Sequence, residues 1–137
     1  MFTWDPKLET GITEIDEQHR LIFRKADAVL EAVAAGKGGS EVKKTIQFLA
    51  DYAALHFATE ERYMRAAGFP DSDAHAEIHA RINRRIMEVA AEFNANGASA
   101  ALVADVDAMM RGWLTMHIME KDRAVSDWIH QAERARG

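Results

Sequence analysis

The chain has 137 residues, 48% hydrophobic and 28% charged, one domain's worth with enough apolar mass for a real core. Its net charge of -5 and pI near 5.7 argue against nucleic acid or an anionic membrane as partner, since both select basic surfaces. The absence of cysteine excludes disulfides, thiolate ligands, iron–sulfur clusters and cysteine nucleophiles, so any metal must be held by nitrogen and oxygen.

Residues 1–15 carry Trp4, Pro6 and Gly11 without a helical period. They are expected to form an extended arm anchored by Phe2, Trp4, Leu8 and Ile12. The same stretch lacks the basic region and apolar core of a secretory signal. No apolar run approaches the ~20 residues needed to span a bilayer, so the cytoplasm is the expected compartment. From about Glu17 to Ala35 the residues Ile22, Phe23, Ala26, Val29, Leu30 and Val33 recur at steps of three and four. That is the stripe of an amphipathic helix, with Asp16 as its expected N-cap and His19 on the buried face.

A second helix is predicted from Ser40, as a cap, to about Ala67, with the stripe Ile46, Leu49, Ala53, His56, Glu60 and Met64. Gly68, Pro70, Asp71 and Ser72 then stop one helix and start another. The third, about Asp73 to Phe93, has the stripe His75, His79, Ile82, Ile86, Val89 and Phe93. Ser99 is expected to cap the fourth, whose stripe is Leu102, Val106, Met109 or Met110, Trp113 and His117. A short last helix is predicted over 123–135. No stretch alternates with period two. The expected fold is all-α, a single domain over 1–137: an arm (1–15), an up-down-up-down four-helix bundle (16–122) and a short C-terminal helix (123–137).

Five of the six histidines, His19, His56, His75, His79 and His117, fall on these buried stripes, and each of the four long helices supplies at least one. One such histidine alone is more often a satisfied core residue. Five with a buried carboxylate would each cost about 1–3 kcal/mol if left without partners, and a metal satisfies them together. Glu60 shares the face of His56. Glu61 is about 140° from His56 on the helix and is expected to face solvent, as is Glu77. His130, near the end of the last helix, is expected at the surface. Asp122, five residues after His117, shares its face only if the helix breaks or makes a π-type turn near 118–121. On pattern alone a role as an exposed cap of the last helix is favoured.

The spacing excludes several metal sites. His75-Ala-Glu-Ile-His79 puts the acid one place too late for the HExxH zinc protease motif. No Glu precedes a histidine by three, as ferritin-like di-iron carboxylate sites require. A structural zinc closes with four ligands and would leave imidazoles unused. Two metals fit the count better than one.

The segments IDEQH, HFATEERYM, HAEIH and WLTMHIMEKD, with the arm and its Trp, closely resemble the hemerythrin family, specifically single-domain bacterial hemerythrins, over nearly the whole chain. The resemblance implies a non-haem centre of two irons (Fe2+/Fe3+). His75, His79 and His117 would bind one iron, and His19 and His56 the other. Glu60 and Asp122 would bridge both, with an oxo or hydroxo group. It also reverses the expectation for Asp122, because the family places a bridging carboxylate five residues after the last histidine.

The implied function is reversible dioxygen binding for storage, transport or delivery, with no enzymatic turnover. Oxygen would be held as hydroperoxide on the five-coordinate iron, and small anions such as azide would bind the ferric form. Phe57, Trp113, Leu114 and Ile118 are candidates for lining the open position. Two other readings stand beside this one: a di-iron oxidase or peroxide-consuming enzyme, and a redox sensor acting through a separate partner.

Overall fold

The computed structural model describes residues 4, 6–36, 39–97, 99–114 and 117–136, apart from the side chains at 41, 113 and 114. After a single 3-10 turn, Pro6–Leu8, come α1 (Thr13–Ala34), α2 (Gly39–Ala66), α3 (Ser72–Asn96) and α4 (Ala100–Ala108). Two π-helical segments follow, Met109–Leu114 and Ile118–Asp122, and then α5 (Arg123–Arg136). Helix α1 packs on α2 and α4, and α3 packs on the same two. The antiparallel neighbours close into the expected helical bundle. Among the described residues there is no strand, and no helix is long and apolar enough to cross a membrane.

The predicted stripes form the core. Ile22, Phe23, Ala26 and Val29 meet Ile46, Leu49, Ala53 and Phe57, together with Ile82, Ile86, Val89 and Phe93 from α3 and Leu102 and Val106 from α4. Burying a side chain of this size contributes about 1.5–3 kcal/mol, and that surplus offsets a polar centre in the same interior. A smaller cluster of Met64, Val125 and Ile129 closes the other end. Along α2, His56 and Glu60 fall between Ala53 of the large core and Met64 of the small cluster.

The α2–α3 connection explains how two ligand-type pairs become neighbours. Gly68 adopts φ +67, which an L side chain resists. From there its N–H reaches the Arg65 carbonyl (3.2 Å), and Phe69 N–H reaches that of Met64 (2.9 Å). This is the Schellman closure of a helix, completed by packing of Phe69 against the apolar cluster that contains Met64. It turns the chain within a few residues. Ser99 caps α4 as expected, accepting from Leu102 N–H.

Several boundaries differ from the sequence reading. Helix α1 begins four residues earlier, so Asp16 lies one turn inside it. There its buried carboxylate accepts from Thr10 N–H (2.8 Å), Thr10 Oγ1 (2.8 Å) and Gly11 N–H (3.1 Å). It therefore caps the arm rather than the helix. Ser40 is already within α2. His130, expected at the surface, is partly covered: its Nε2 lies 3.0 Å from the Thr10 carbonyl, where a Cβ on Gly11 would crowd it. Arg123 donates to the carbonyls of Lys7 and Glu9. Of the expected anchors, Leu8 is buried and Trp4 packs edge-on to Phe23; Phe2 lies outside the described residues.

The second π segment carries most weight for the site. Arg123 N–H bonds to the Ile118 carbonyl, five residues back, the signature of the wider turn. The helix continues into α5 through αR geometry at Arg123 (φ -64, ψ -41), with no loop between them. The first π segment has a similar effect: Met109 and Met110, alternatives on a regular helix, are both buried. Asp16→Ala should lower the free energy of unfolding by about 1–3 kcal/mol, because three donors lose their acceptor. Urea denaturation with the secondary structure unchanged checks this.

Candidate metal centre

The wide turn at Ile118–Asp122 swings Asp122 onto the face of His117, with Nε2–Oδ1 at 3.0 Å. The exposed-cap role that pattern alone favoured does not hold, in line with the reversed expectation: Asp122 is buried, as are Glu60 and all five histidines from the stripes. Their donor atoms fall into two groups, in each of which every atom lies within 4.8 Å of the others. One comprises His75, His79, His117, Glu60 and Asp122, the other His19, His56, Glu60 and Asp122. The carboxylates are common to both.

Each carboxylate divides its oxygens between the groups. Glu60 Oε1 lies 2.6 Å from His75 Nε2 and 3.4 Å from His79 Nε2, whereas Oε2 lies 3.6 Å from His56 Nε2. Asp122 Oδ1 lies 3.1 Å from His75 Nε2 and 3.0 Å from that of His117, whereas Oδ2 lies 3.2 Å from His19 Nε2. These contacts are short, yet His19 Nε2, His79 Nε2, His117 Nε2, Glu60 Oε2 and Asp122 Oδ1 make no hydrogen bond although buried. The atoms converge on common points instead of aiming at one another. Buried polar atoms left this way are rare, and a cation at each convergence point would satisfy them. The nitrogen and oxygen donor set suits a divalent first-row metal.

The electrostatics show what the cations replace. Burial and the neighbouring charge of His75 push His79 down to about 4, and burial with His19 nearby holds His56 well below the usual imidazole range. Both are neutral at pH 7, with lone pairs free to donate. Burial and the charge of Asp122 raise Glu60 to about 7. For His75 burial pulls downward, but Asp122 and Glu60 overcome it and push the imidazole up to about 9. Asp122 stays well below the usual carboxylate range despite burial, because His117, His19 and His75 gather around it. In the metal-free protein, protons on His75 and Glu60 partly neutralise the buried charge that metal would otherwise meet.

Behind these residues stand three that helical spacing did not single out. His56 Nδ1 lies 2.8 Å from Gln18 Oε1, and Gln18 Nε2 donates to Thr59 Oγ1 at 3.3 Å. Glu61, expected in solvent, turns back so that Oε2 lies 3.3 Å from His79 Nδ1. Gln18 carried a readable signal, since 18, 22, 26 and 29 continue the α1 stripe. Glu61 carried none, because its partner is on another helix. Glu77 is exposed as expected.

Beside the two-imidazole group is a pocket of about 10 Å³, room for one water-sized molecule. His19, His56, His117 and Asp122 line it, with the apolar walls Ile22, Phe23, Phe57 and Ile118. Phe57 and Ile118, two of the four expected lining residues, are among its walls. The side chains of Trp113 and Leu114, the other two candidates, lie outside the described residues.

The sequence family described as Hemerythrin HHE cation binding domain matches residues 10–129. Similar proteins include the bacteriohemerythrin of Pseudomonas paraeruginosa, 32% identical over 94% of this chain and 82% of that protein. The bacteriohemerythrin of Methylococcus capsulatus is 29% identical over 90% of this chain and 92% of its own. A hemerythrin-like protein of Naegleria gruberi is 27% identical over 88% and 87%.

Metal uptake should release protons, because His75 must give up the one it holds below about 9. Apparent affinity for a divalent ion should therefore rise with pH, by up to roughly tenfold per pH unit for each proton displaced. The rise should level off above about 9. Calorimetric titration in buffers of different ionisation enthalpy measures the protons directly.

Proposed function

The chain belongs to the hemerythrin family, and from that premise we propose that it binds dioxygen reversibly at a non-haem di-iron centre. It would act as an oxygen store or carrier of the cytoplasm rather than as an enzyme, with residues 1–137 forming a single hemerythrin-like domain. The observation that carries this reading is an asymmetry. Five protein side chains face one side of the centre and four the other, and the small apolar pocket lies against His19, His56 and Asp122 of the four, with His117 the one imidazole of the larger group that reaches it.

Under this proposal His75, His79, His117, Glu60 and Asp122 would hold one iron, and His19, His56, Glu60 and Asp122 the other. Two ferrous ions, when bound, supply one electron each, reversibly, to a single dioxygen molecule. The protein's part is to keep that exchange clean. Glu60 and Asp122, each with an oxygen on either side, keep the two groups in register. Ile22, Phe23, Phe57 and Ile118 shape a space for one small molecule and offer no proton to it. Excluding water leaves a bound ligand without competing hydrogen-bond partners. A catalyst that consumed oxygen or peroxide would want a proton donor in that wall, and among the described residues the wall beyond the candidate ligands is apolar. Small anions such as azide would enter the same pocket in the ferric protein.

Reconstituted protein should contain two irons per chain. The anaerobically reduced sample should gain a persistent visible absorption on admitting oxygen and lose it on removing oxygen. Steady consumption of oxygen or peroxide with a reductant, and no persistent complex, would favour an enzyme instead. Asp122→Ala should weaken iron retention and abolish the oxygen-dependent band, whereas Glu77→Ala should leave both as in the wild type. Equal behaviour of the two variants would remove Asp122 from the centre.

A further inference from the structure

The hydrogen bonds behind His56 run in one direction only. Thr59 Oγ1 lies 3.0 Å from the carbonyl of Leu55, which can only accept, so the single hydroxyl proton is committed there. The Thr59 oxygen is then an acceptor, and the partner 3.3 Å away must be the NH2 of Gln18. This orientation turns the amide oxygen of Gln18 toward His56 Nδ1 at 2.8 Å. An amide oxygen cannot donate, so the imidazole proton sits on Nδ1 and the lone pair of Nε2 points into the centre. A reversed amide would set two oxygens against each other at Thr59. It would also place an Nε2–H where a cation has to bind. Gln18, Thr59 and His56 are all buried, so water does not scramble this order.

The other tautomer has a competitor for its proton, since Glu60 Oε2 lies on the Nε2 side of His56. At 3.6 Å that contact is too long for a hydrogen bond, and the 2.8 Å contact to Gln18 prevails. The two sides of the centre are also anchored differently. On the three-imidazole side His79 Nδ1 faces the carboxylate of Glu61, which raises the donor strength of a ligand imidazole. On the two-imidazole side His56 has a neutral amide behind it, and His19 Nδ1 is buried with no hydrogen-bond partner among the described residues.

We infer that Gln18, locked by Thr59, is the positioning residue that fixes His56 as a ligand of the pocket-side ion, and that its neutrality keeps that ion the more weakly held of the two. The inference rests on the dinuclear reading. Its consequence is that the ion facing the pocket is the last to load and the first to leave.

The test is anaerobic reloading of the full chain with Co2+, following the two stepwise dissociation constants by visible absorption. Gln18→Leu should weaken the second step by roughly 10- to 100-fold, the usual effect of losing such a partner, and leave the first unchanged. Gln18→Glu should move the second step the opposite way, toward tighter binding, the Thr59 hydroxyl turning from the Leu55 carbonyl to donate to the second carboxylate oxygen. Thr59→Val, which removes the lock without touching His56, should weaken the same step less, and Thr59→Ser should restore it. If Gln18→Leu fails to fold, the Thr59 pair decides the matter alone. An unchanged second step, or equal shifts in both steps, would overturn the proposal and leave Gln18 as buried packing. Uptake of only one Co2+ by the wild type would overturn the dinuclear reading and this proposal with it.

Discussion

Glu60 and Asp122 sit in the middle of the bundle, each with one oxygen turned to either side, and each almost wholly buried. Two carboxylates cannot stay charged in an apolar interior without compensation. Everything around them supplies it. Five imidazoles converge on their oxygens, and where no cation is present a proton on His75 and a raised Glu60 take up part of the charge. The helices are long, and the flanking core is large, because a polar centre of this kind has to be held in place by packing it does not itself provide.

Two local departures from regular helix make the convergence possible. The Gly68 turn, with its left-handed backbone, folds α3 back on α2 so that His56 and Glu60 meet His75 and His79. The π segment over Ile118–Asp122 adds one residue to a turn and brings Asp122 beneath His117. A regular α-helix would place Asp122 well off that face, and both of its oxygens would miss the imidazoles. The arm and α5 are tied to the same region through Asp16, Arg123 and His130. The end of the bundle that carries α5 is therefore pinned as well.

The centre is not symmetric, and the asymmetry runs through several shells. Three imidazoles stand on one side and two on the other. Both imidazoles of the side with two line the apolar pocket, which His117 alone reaches from the other side; a neutral amide stands behind one of them and, among the described residues, no hydrogen-bond partner behind the second. The side with three has the Glu61 carboxylate behind His79. Fewer donors, and less charge behind them, coincide with the space for one small molecule.

The amino-acid sequence by itself determined the helices, their buried faces and six of the seven converging side chains. All of these follow from steps of three and four along single helices, a local property of the chain. It left Asp122 ambiguous on spacing, since a five-residue step belongs to a π turn that periodicity does not announce; only the resemblance of the segment WLTMHIMEKD tipped the reading. It placed Asp16 at a helix end and Glu61 in solvent, and tertiary contacts decided otherwise. Asp16 found donors in an arm folded back over α1, and Glu61 found His79 on a different helix. Which carboxylate oxygen faces which imidazole, and which way the Gln18 amide points, depend on distances between helices. Those distances exist only after the bundle has packed.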